Sequence, residues 1–212
     1  MSIGVAHGDI KPENFLIEES ETGGFNCRMI DFGSCAIRGQ KRLPTKSPPW
    51  NAPELDDALE FTSDDLILSD IYSFGLLCVQ IILPLDELAN ANAFLIRRPG
   101  QTDDQWRHFL SVMVGKKRKD SGDTLASEIL NIIEKSDIPT NQKLLLRKIV
   151  NETIKSRSDY RTFPWSEMRP HIEEFLSEKY LGVISSRVSG ANIPLQLQYG
   201  PTYCGSTTAI SS

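Results

Sequence analysis

The sequence predicts a mainly α fold with one small β-hairpin, and three observations lead there. From Ser69 onward apolar residues recur at helical spacing, first in a segment apolar nearly all round and then in four amphipathic candidates. Before that point two short apolar runs flank a polar loop, the pattern of a hairpin. Between these regions lies a proline-rich stretch that excludes a helix. A chain of 212 residues suits one ordinary domain or a little more.

The runs Phe15 to Glu18 and Cys27 to Ile30 are the two predicted strands, with Glu19 to Asn26 as their loop. Gly39 to Pro53 is basic, then rich in proline, and reads as an extended surface loop. Ser69 and Asp70 stand where an N-cap is expected. Behind them Ile71, Phe74, Cys78, Ile81 and Ile82 keep helical spacing, while Leu76, Leu77 and Val79 fill the other faces, so the helix through Leu83 is expected to be buried. Further helices are expected over Asp103 to Val114, Leu125 to Lys135, Asn141 to Lys155 and Ser166 to Tyr180. Asp103 and Ser166 sit at cap positions, and Pro139 and Pro164 separate elements. Gly115-Lys116-Lys117-Arg118-Lys119 reads as a solvated basic loop, or else as a nuclear-import or docking patch. After Val183 the chain turns to Ser, Gly, Thr and Gln. This predicts a domain over 1–182 and a loose tail over 183–212.

Composition narrows the class. Forty per cent hydrophobic and 24% charged residues read as soluble and globular, and a net charge of −5 gives no case for a nucleic-acid partner. No uninterrupted apolar run reaches the roughly 18 residues of a bilayer span, so no membrane partner is expected. The first residues lack the basic and apolar stretches of a signal peptide, and Ser2 stands where myristoylation needs Gly. Cys27, Cys35, Cys78 and Cys204 form no CxxC pair and have no His at metal-ligand spacing. They read as reduced thiols of an intracellular protein, cytoplasmic or nuclear.

Three strings carry the chemistry: His7-Gly8-Asp9-Ile10-Lys11-Pro12-Glu13-Asn14, then Asp31-Phe32-Gly33, then Ala52-Pro53-Glu54. Singly, Asp9 reads as a surface-turn acid and Asn14 as a cap residue. In this order, joined by a hairpin and a loop, the three resemble the catalytic loop, the D-F-G and the A-P-E of eukaryotic-type Ser/Thr protein kinases. The resemblance covers roughly residues 3 to 182 and implies the C-terminal lobe of that fold, which is α+β in the full family. It implies ATP and Mg²⁺ as the nucleotide and metal, and a Ser or Thr hydroxyl of a protein substrate as acceptor.

Phosphoryl transfer is mostly positioning plus charge neutralisation. On the resemblance Asp9 orients the attacking hydroxyl and takes its proton, and Lys11 steadies the transferring phosphate. Asn14 and Asp31 supply the hard oxygens that Mg²⁺ prefers. Leu16 lies beside the nucleotide. His7, Phe32, Gly33 and Ser47 have structural places, Phe32 in an internal apolar stack and Ser47 against Asp9 and Lys11; locally Ser47 is equally a loop Ser before Pro. Asp70 holds the catalytic-loop backbone from below, and Glu54 pairs with Arg161 in a buried salt bridge. Lys at position 11, rather than Ala, points away from tyrosine kinases.

Two departures stand out. Gly8 replaces the usual Arg, the partner of an activation-loop phosphate, which argues against switching by such a phosphate. The sequence also contains no G-x-G-x-x-G-x-V segment and no V-A-I-K lysine, the marks of the small lobe that closes over ATP. The chain is then a truncated kinase, a naturally short relative, or a catalytically inactive kinase-like binding module. For residues 1 to 212 alone the expectation is weak binding of Mg²⁺-ATP and negligible phosphate transfer.

Overall fold

Thr62 opens the helix that organises the protein. Its N–H donates to Asp65 Oδ2 at 3.0 Å, and the Asp65 N–H donates back to Thr62 Oγ1 at 3.3 Å, a reciprocal capping box. Helix α1 therefore runs Ser63–Ile82, not from Ser69. Ser69 and Asp70 are interior residues with other tasks. The sequence signal for the true start is Thr62 followed three positions later by an acid.

The computed structural model describes residues 4–20, 25–56, 60–83, 100–117, 123–163 and 169. The candidate helix Ser166 to Tyr180, the tail after 183 and the boundary between 182 and 183 lie outside them. Ahead of α1 come β1 (Val5–Ala6), β2 (Phe15–Glu19), β3 (Phe25–Met29), β4 (Ala36–Ile37), β5 (Lys41–Arg42) and β6 (Phe61–Thr62). After it come α2 (Asp103–Lys117), α3 (Thr124–Lys135) and α4 (Thr140–Thr153). The six strands form three antiparallel pairs: β1 with β4, β2 with β3, and β5 with β6. In the β2–β3 hairpin Phe15 pairs with Met29 and Ile17 with Cys27, within two residues of the predicted strands.

Helix α1 packs against α4, β1 and β6. Gly75 permits the closest approach: a Cβ there would meet Thr153 Oγ1 at 2.0 Å, so α4 lies directly on the α1 backbone. Around that contact Leu76, Ile133, Leu146 and Val150 are fully enclosed, each worth about 2 kcal/mol of apolar burial. By length and composition α1 also suits a bilayer span. Half of its span window is buried within the protein, and Asp70 is hydrogen-bonded to β1–loop backbone, so it reads here as a core helix.

Three further expectations are corrected. Helix α2 is capped by Thr102, not Asp103: the Thr102 N–H donates to Gln105 Oε1 at 2.9 Å and the Gln105 N–H to Thr102 Oγ1 at 3.3 Å. Gly39 to Pro53 is not a surface loop throughout. Leu43 is exposed, but Pro49 to Pro53 is buried, and Trp50 joins the main core. The large aromatic area of Trp50 favours burial, and the proline rings are themselves apolar and bring no N–H to satisfy. Finally, Gly115, Lys116 and Lys117 belong to α2 rather than to a solvated loop. Lys116 pairs with Glu128 of α3 at 2.6 Å, and Lys117 is 3% exposed.

Candidate active site

The loop between β1 and β2 is pinned from below. Asp70, in the second turn of α1, accepts the His7 N–H at 2.6 Å and the Gly8 N–H at 2.9 Å. His7 Nε2 donates to the Ile30 carbonyl at 3.0 Å, which fixes the tautomer and ties the loop to the end of β3. Gly8 has φ +76°, and a Cβ on it would lie 2.6 Å from the Ser34 carbonyl oxygen. No L side chain fits there without moving backbone.

This pinning presents four polar groups together. Lys11 Nζ donates to Asp9 Oδ2 at 2.7 Å and to Ser47 Oγ at 3.1 Å. Asn14 Nδ2 donates to the Asp9 carbonyl at 2.7 Å and to Asp9 Oδ2 at 3.3 Å. Asp9 and Asn14 are buried. One carboxylate oxygen of Asp9 is thus engaged by both cationic and amide donors, while Oδ1 receives no donor among the described residues. The Asn14 amide spends its N–H groups on Asp9, at the carbonyl and at Oδ2. The Ile30 N–H donates to the Asn14 carbonyl at 2.9 Å, so the hairpin returns the chain beside Asn14 just before Asp31.

Asp31 is the one described non-glycine residue with positive φ, at 60°. This left-handed conformation costs about 1 kcal/mol in an L residue. Its carboxylate is exposed, with Oδ1 accepting the Gly33 N–H at 3.4 Å. Among the described residues no group of three or more His, Cys, Asp or Glu is placed to hold a metal. Two hard oxygen donors with an open shell fit Mg²⁺, which usually takes one or two carboxylates and completes its shell with phosphate oxygens and water.

Phe32 is a correction. It is 62% exposed rather than stacked inside, with its ring 5.3 Å from that of His7. The described residues cover one face only. Leu16, on β2, is 46% exposed and pairs with Arg28. On the far side Arg161 meets Glu54 through two bonds of 2.5 and 2.8 Å. Sequence reasoning missed Ser73 and Lys117. Ser73 Oγ donates to the Trp50 carbonyl at 3.0 Å, and Lys117 Nζ donates to the carbonyls of Pro49 and Asn51. Neither left a readable signal, one being a Ser in an apolar helix and the other a Lys in a charge run.

Burial pushes the Asp70 carboxyl up from 3.8 to about 6, against the downward pull of the His7 and Gly8 N–H bonds. A carboxyl raised on folding binds its proton more tightly in the folded state. Its contribution is full below the unfolded value and is lost as pH rises through the folded one. Two units correspond to about 3 kcal/mol. Asp70→Asn removes this titration and, at every pH, one accepted N–H bond. We expect the stability difference, wild type minus variant, to fall by about 3 kcal/mol between about pH 4 and pH 7 in urea unfolding. A difference that is flat across this window would contradict the assignment.

Comparison with known proteins bears on the same region. The chain is 32% identical over 105 residues to the serine/threonine-protein kinase chk1 of Schizosaccharomyces pombe, covering 45% of this chain and 19% of that protein. It is 35% identical over 94 residues to the maternal embryonic leucine zipper kinase of Xenopus laevis, covering 41% and 13%. Against a probable leucine-rich repeat receptor-like protein kinase of Arabidopsis thaliana it is 37% identical over 81 residues, covering 38% and 11%. It spans less than a fifth of the length of these curated relatives. The protein kinase domain model matches residues 2–163, most of the chain and the whole of the site described above, and the chain belongs to that family.

Proposed function

We propose that this chain carries the acceptor side and the metal side of ATP-dependent phosphoryl transfer to Ser or Thr hydroxyls of proteins. The observation that carries the reading is the network of Asp9, Lys11, Asn14 and Ser47, with Asp31 returned beside it by the hairpin. Asp9 Oδ1 accepts the hydroxyl proton as the oxygen attacks the γ-phosphorus of ATP and the phosphorus–oxygen bond to ADP breaks. Lys11, held between Asp9 and Ser47, keeps a positive charge next to the phosphate in transit. Asn14 Oδ1 and the Asp31 carboxylate are the groups that would hold Mg²⁺, and the strained backbone of Asp31 keeps its carboxylate turned outward. Bound Mg²⁺ neutralises charge on the phosphate oxygens. Lysine at position 11 and the relatives named as serine/threonine kinases favour Ser and Thr over Tyr.

The test is radiolabel transfer from ATP to a mixture of Ser, Thr and Tyr peptides. It uses the protein affinity-purified from its cells of origin with Mg²⁺ present. Label on Ser and Thr, absent in the Asp9→Ala protein, is the expected result. Equal label in both proteins would sink the reading, and no label in either would favour an inactive kinase-like binding module.

A second expectation concerns Gly8. The space of its absent side chain is taken by the Ser34 carbonyl, and Ser34 Oγ is hydrogen-bonded to Thr45 Oγ1. Ser34 thus lies against the catalytic-loop backbone at Gly8 and holds Thr45 through a neutral hydroxyl pair. Phosphatase treatment should leave the transfer rate unchanged. A large fall would mean that Lys41, Arg42 or Lys46 pairs with a phosphate on Thr45 or Ser47.

A further inference from the structure

Three consecutive backbone carbonyls in the segment after Ser47 are all captured by buried side chains. Lys117 Nζ, at the last residue of α2, donates to the carbonyl of Pro49 and, at 2.9 Å, to that of Asn51. Ser73 Oγ of α1 donates to the carbonyl between them, on Trp50, at 3.0 Å. Lys117 is 3% exposed, Ser73 4% and Trp50 4%. The ammonium also lies 5.5 Å from the centroid of the Tyr72 ring, on the neighbouring residue of α1. A lysine head group is strongly hydrated in water, and burying it is costly unless its donors are satisfied. Here two carbonyls and an aromatic face replace that water. A capping bond for α2 would have needed no burial, so the placement is not explained by helix chemistry.

The segment it grips leads directly to the chemistry. The Trp50 N–H donates to the Ser47 carbonyl at 2.9 Å, closing a turn. Ser47 Oγ at the head of that turn accepts from Lys11 Nζ, and Lys11 in turn donates to Asp9. The turn and Asp9 line one cavity, with Ser47, Trp50 and Asn51 on its wall. Proceeding from the kinase reading above, we infer that Lys117 is a positioning residue for the acceptor side: by holding the Pro49 and Asn51 carbonyls inward it keeps Ser47 on Lys11. Ser73 completes the grip at the middle carbonyl. Lys117 touches no reacting atom, and its effect passes through the turn.

The inference is tested on the full chain with Lys117→Met, which keeps the apolar stem and removes the donor. The control is Ile133→Val, a core change in α3 that loses packing without touching the turn. Two readouts need no activity: amide exchange at Trp50 and Asn51, and acylation of Lys11 by an amine reagent. We expect both to become about ten-fold faster in Lys117→Met, with neither changed in Ile133→Val. Should Lys117→Met fail to fold, Lys117→Gln, which keeps two N–H donors but on a shorter stem and without the charge, should give an intermediate rise. Parallel behaviour of the lysine variants and Ile133→Val would overturn the inference, because Lys117 would then be only a stabilising contact. A third readout is the peptide KM in the transfer assay, expected to rise while the KM for ATP stays. If the wild-type protein transfers no phosphate, the kinase reading fails by that result. The exchange and acylation rates still decide the role of Lys117.

Discussion

In a full-length context Asp9→Ala is expected to lower phosphate transfer by on the order of 10²–10⁴-fold, the usual range for a general base. Asp31→Ala is expected to lower it by about 4 kcal/mol of transition-state stabilisation, about a thousandfold. The two losses should differ in kind. On the proposed reading Asp9 serves the acceptor, because Oδ2 is occupied by Lys11 and Asn14 and Oδ1 would meet the hydroxyl. Its removal should reduce kcat with little change in the KM for ATP. Asp31 carries an exposed carboxylate on a left-handed backbone. Its removal should raise both the Mg²⁺ requirement and the KM for ATP, because one of two hard oxygen donors is gone. Asp31→Ala should lose little stability, since Asp31 makes one weak bond of 3.4 Å, whereas Asp9→Ala should lose more, because it strips the part-buried Lys11 and the buried Asn14 of a carboxylate partner. Steady-state kinetics at several Mg²⁺ concentrations, with melting curves as a control, checks this. An Asp31→Ala protein with an unchanged Mg²⁺ dependence would remove Asp31 from the metal.

The β2–β3 hairpin and the buried character of α1 were legible because both rest on local apolar periodicity. The order of the three motifs was legible because each is a short string. What stayed hidden depends on partners distant in sequence. Lys117 reads as solvated because its neighbours are basic, but its carbonyl acceptors on Pro49 and Asn51 are 68 and 66 residues away. Pro49 to Pro53 reads as surface because of its prolines, while Trp50 and the carbonyls held by Ser73 and Lys117 draw it inside. Asp70 reads as a cap because it precedes an apolar run. The resemblance set it instead beneath the catalytic-loop backbone, and its carboxylate does accept the His7 and Gly8 N–H groups, so only the cap belonged elsewhere, at Thr62 and Asp65. Phe32 reads as core from its apolar side chain alone, and only three-dimensional packing decides which of its faces is covered.

The largest stability effect is expected at Arg161. A guanidinium has five N–H donors, and here each finds an acceptor. Nε donates to the Lys155 carbonyl at 2.7 Å. Nη1 donates to Glu54 Oε1 at 2.5 Å and to the Leu68 carbonyl at 3.3 Å. Nη2 donates to Glu54 Oε2 at 2.8 Å and to the Ser156 carbonyl at 3.4 Å. The group also lies 4.7 Å from the Tyr72 centroid, and its side chain is fully buried. Arg161→Met keeps volume and removes every donor. It leaves the Glu54 carboxylate, 13% exposed, without its counter-charge. Breaking a buried pair in this way costs about 3–5 kcal/mol. At about 2–4 °C per kcal/mol for a domain of this size, the melting temperature should fall by about 10 °C. Adding Glu54→Gln should recover part of that loss, because the stranded charge is then gone, so the double-mutant cycle should show coupling of about 1–3 kcal/mol. Arg161→Lys keeps the charge but has only three donors, and should fall between wild type and Arg161→Met. Urea unfolding of wild type, the two single variants and the double variant of the cycle, and Arg161→Lys checks the set. Additive losses would mean that Glu54 and Arg161 act separately, and that the bond to the Leu68 carbonyl rather than the ion pair fastens Arg161 to α1.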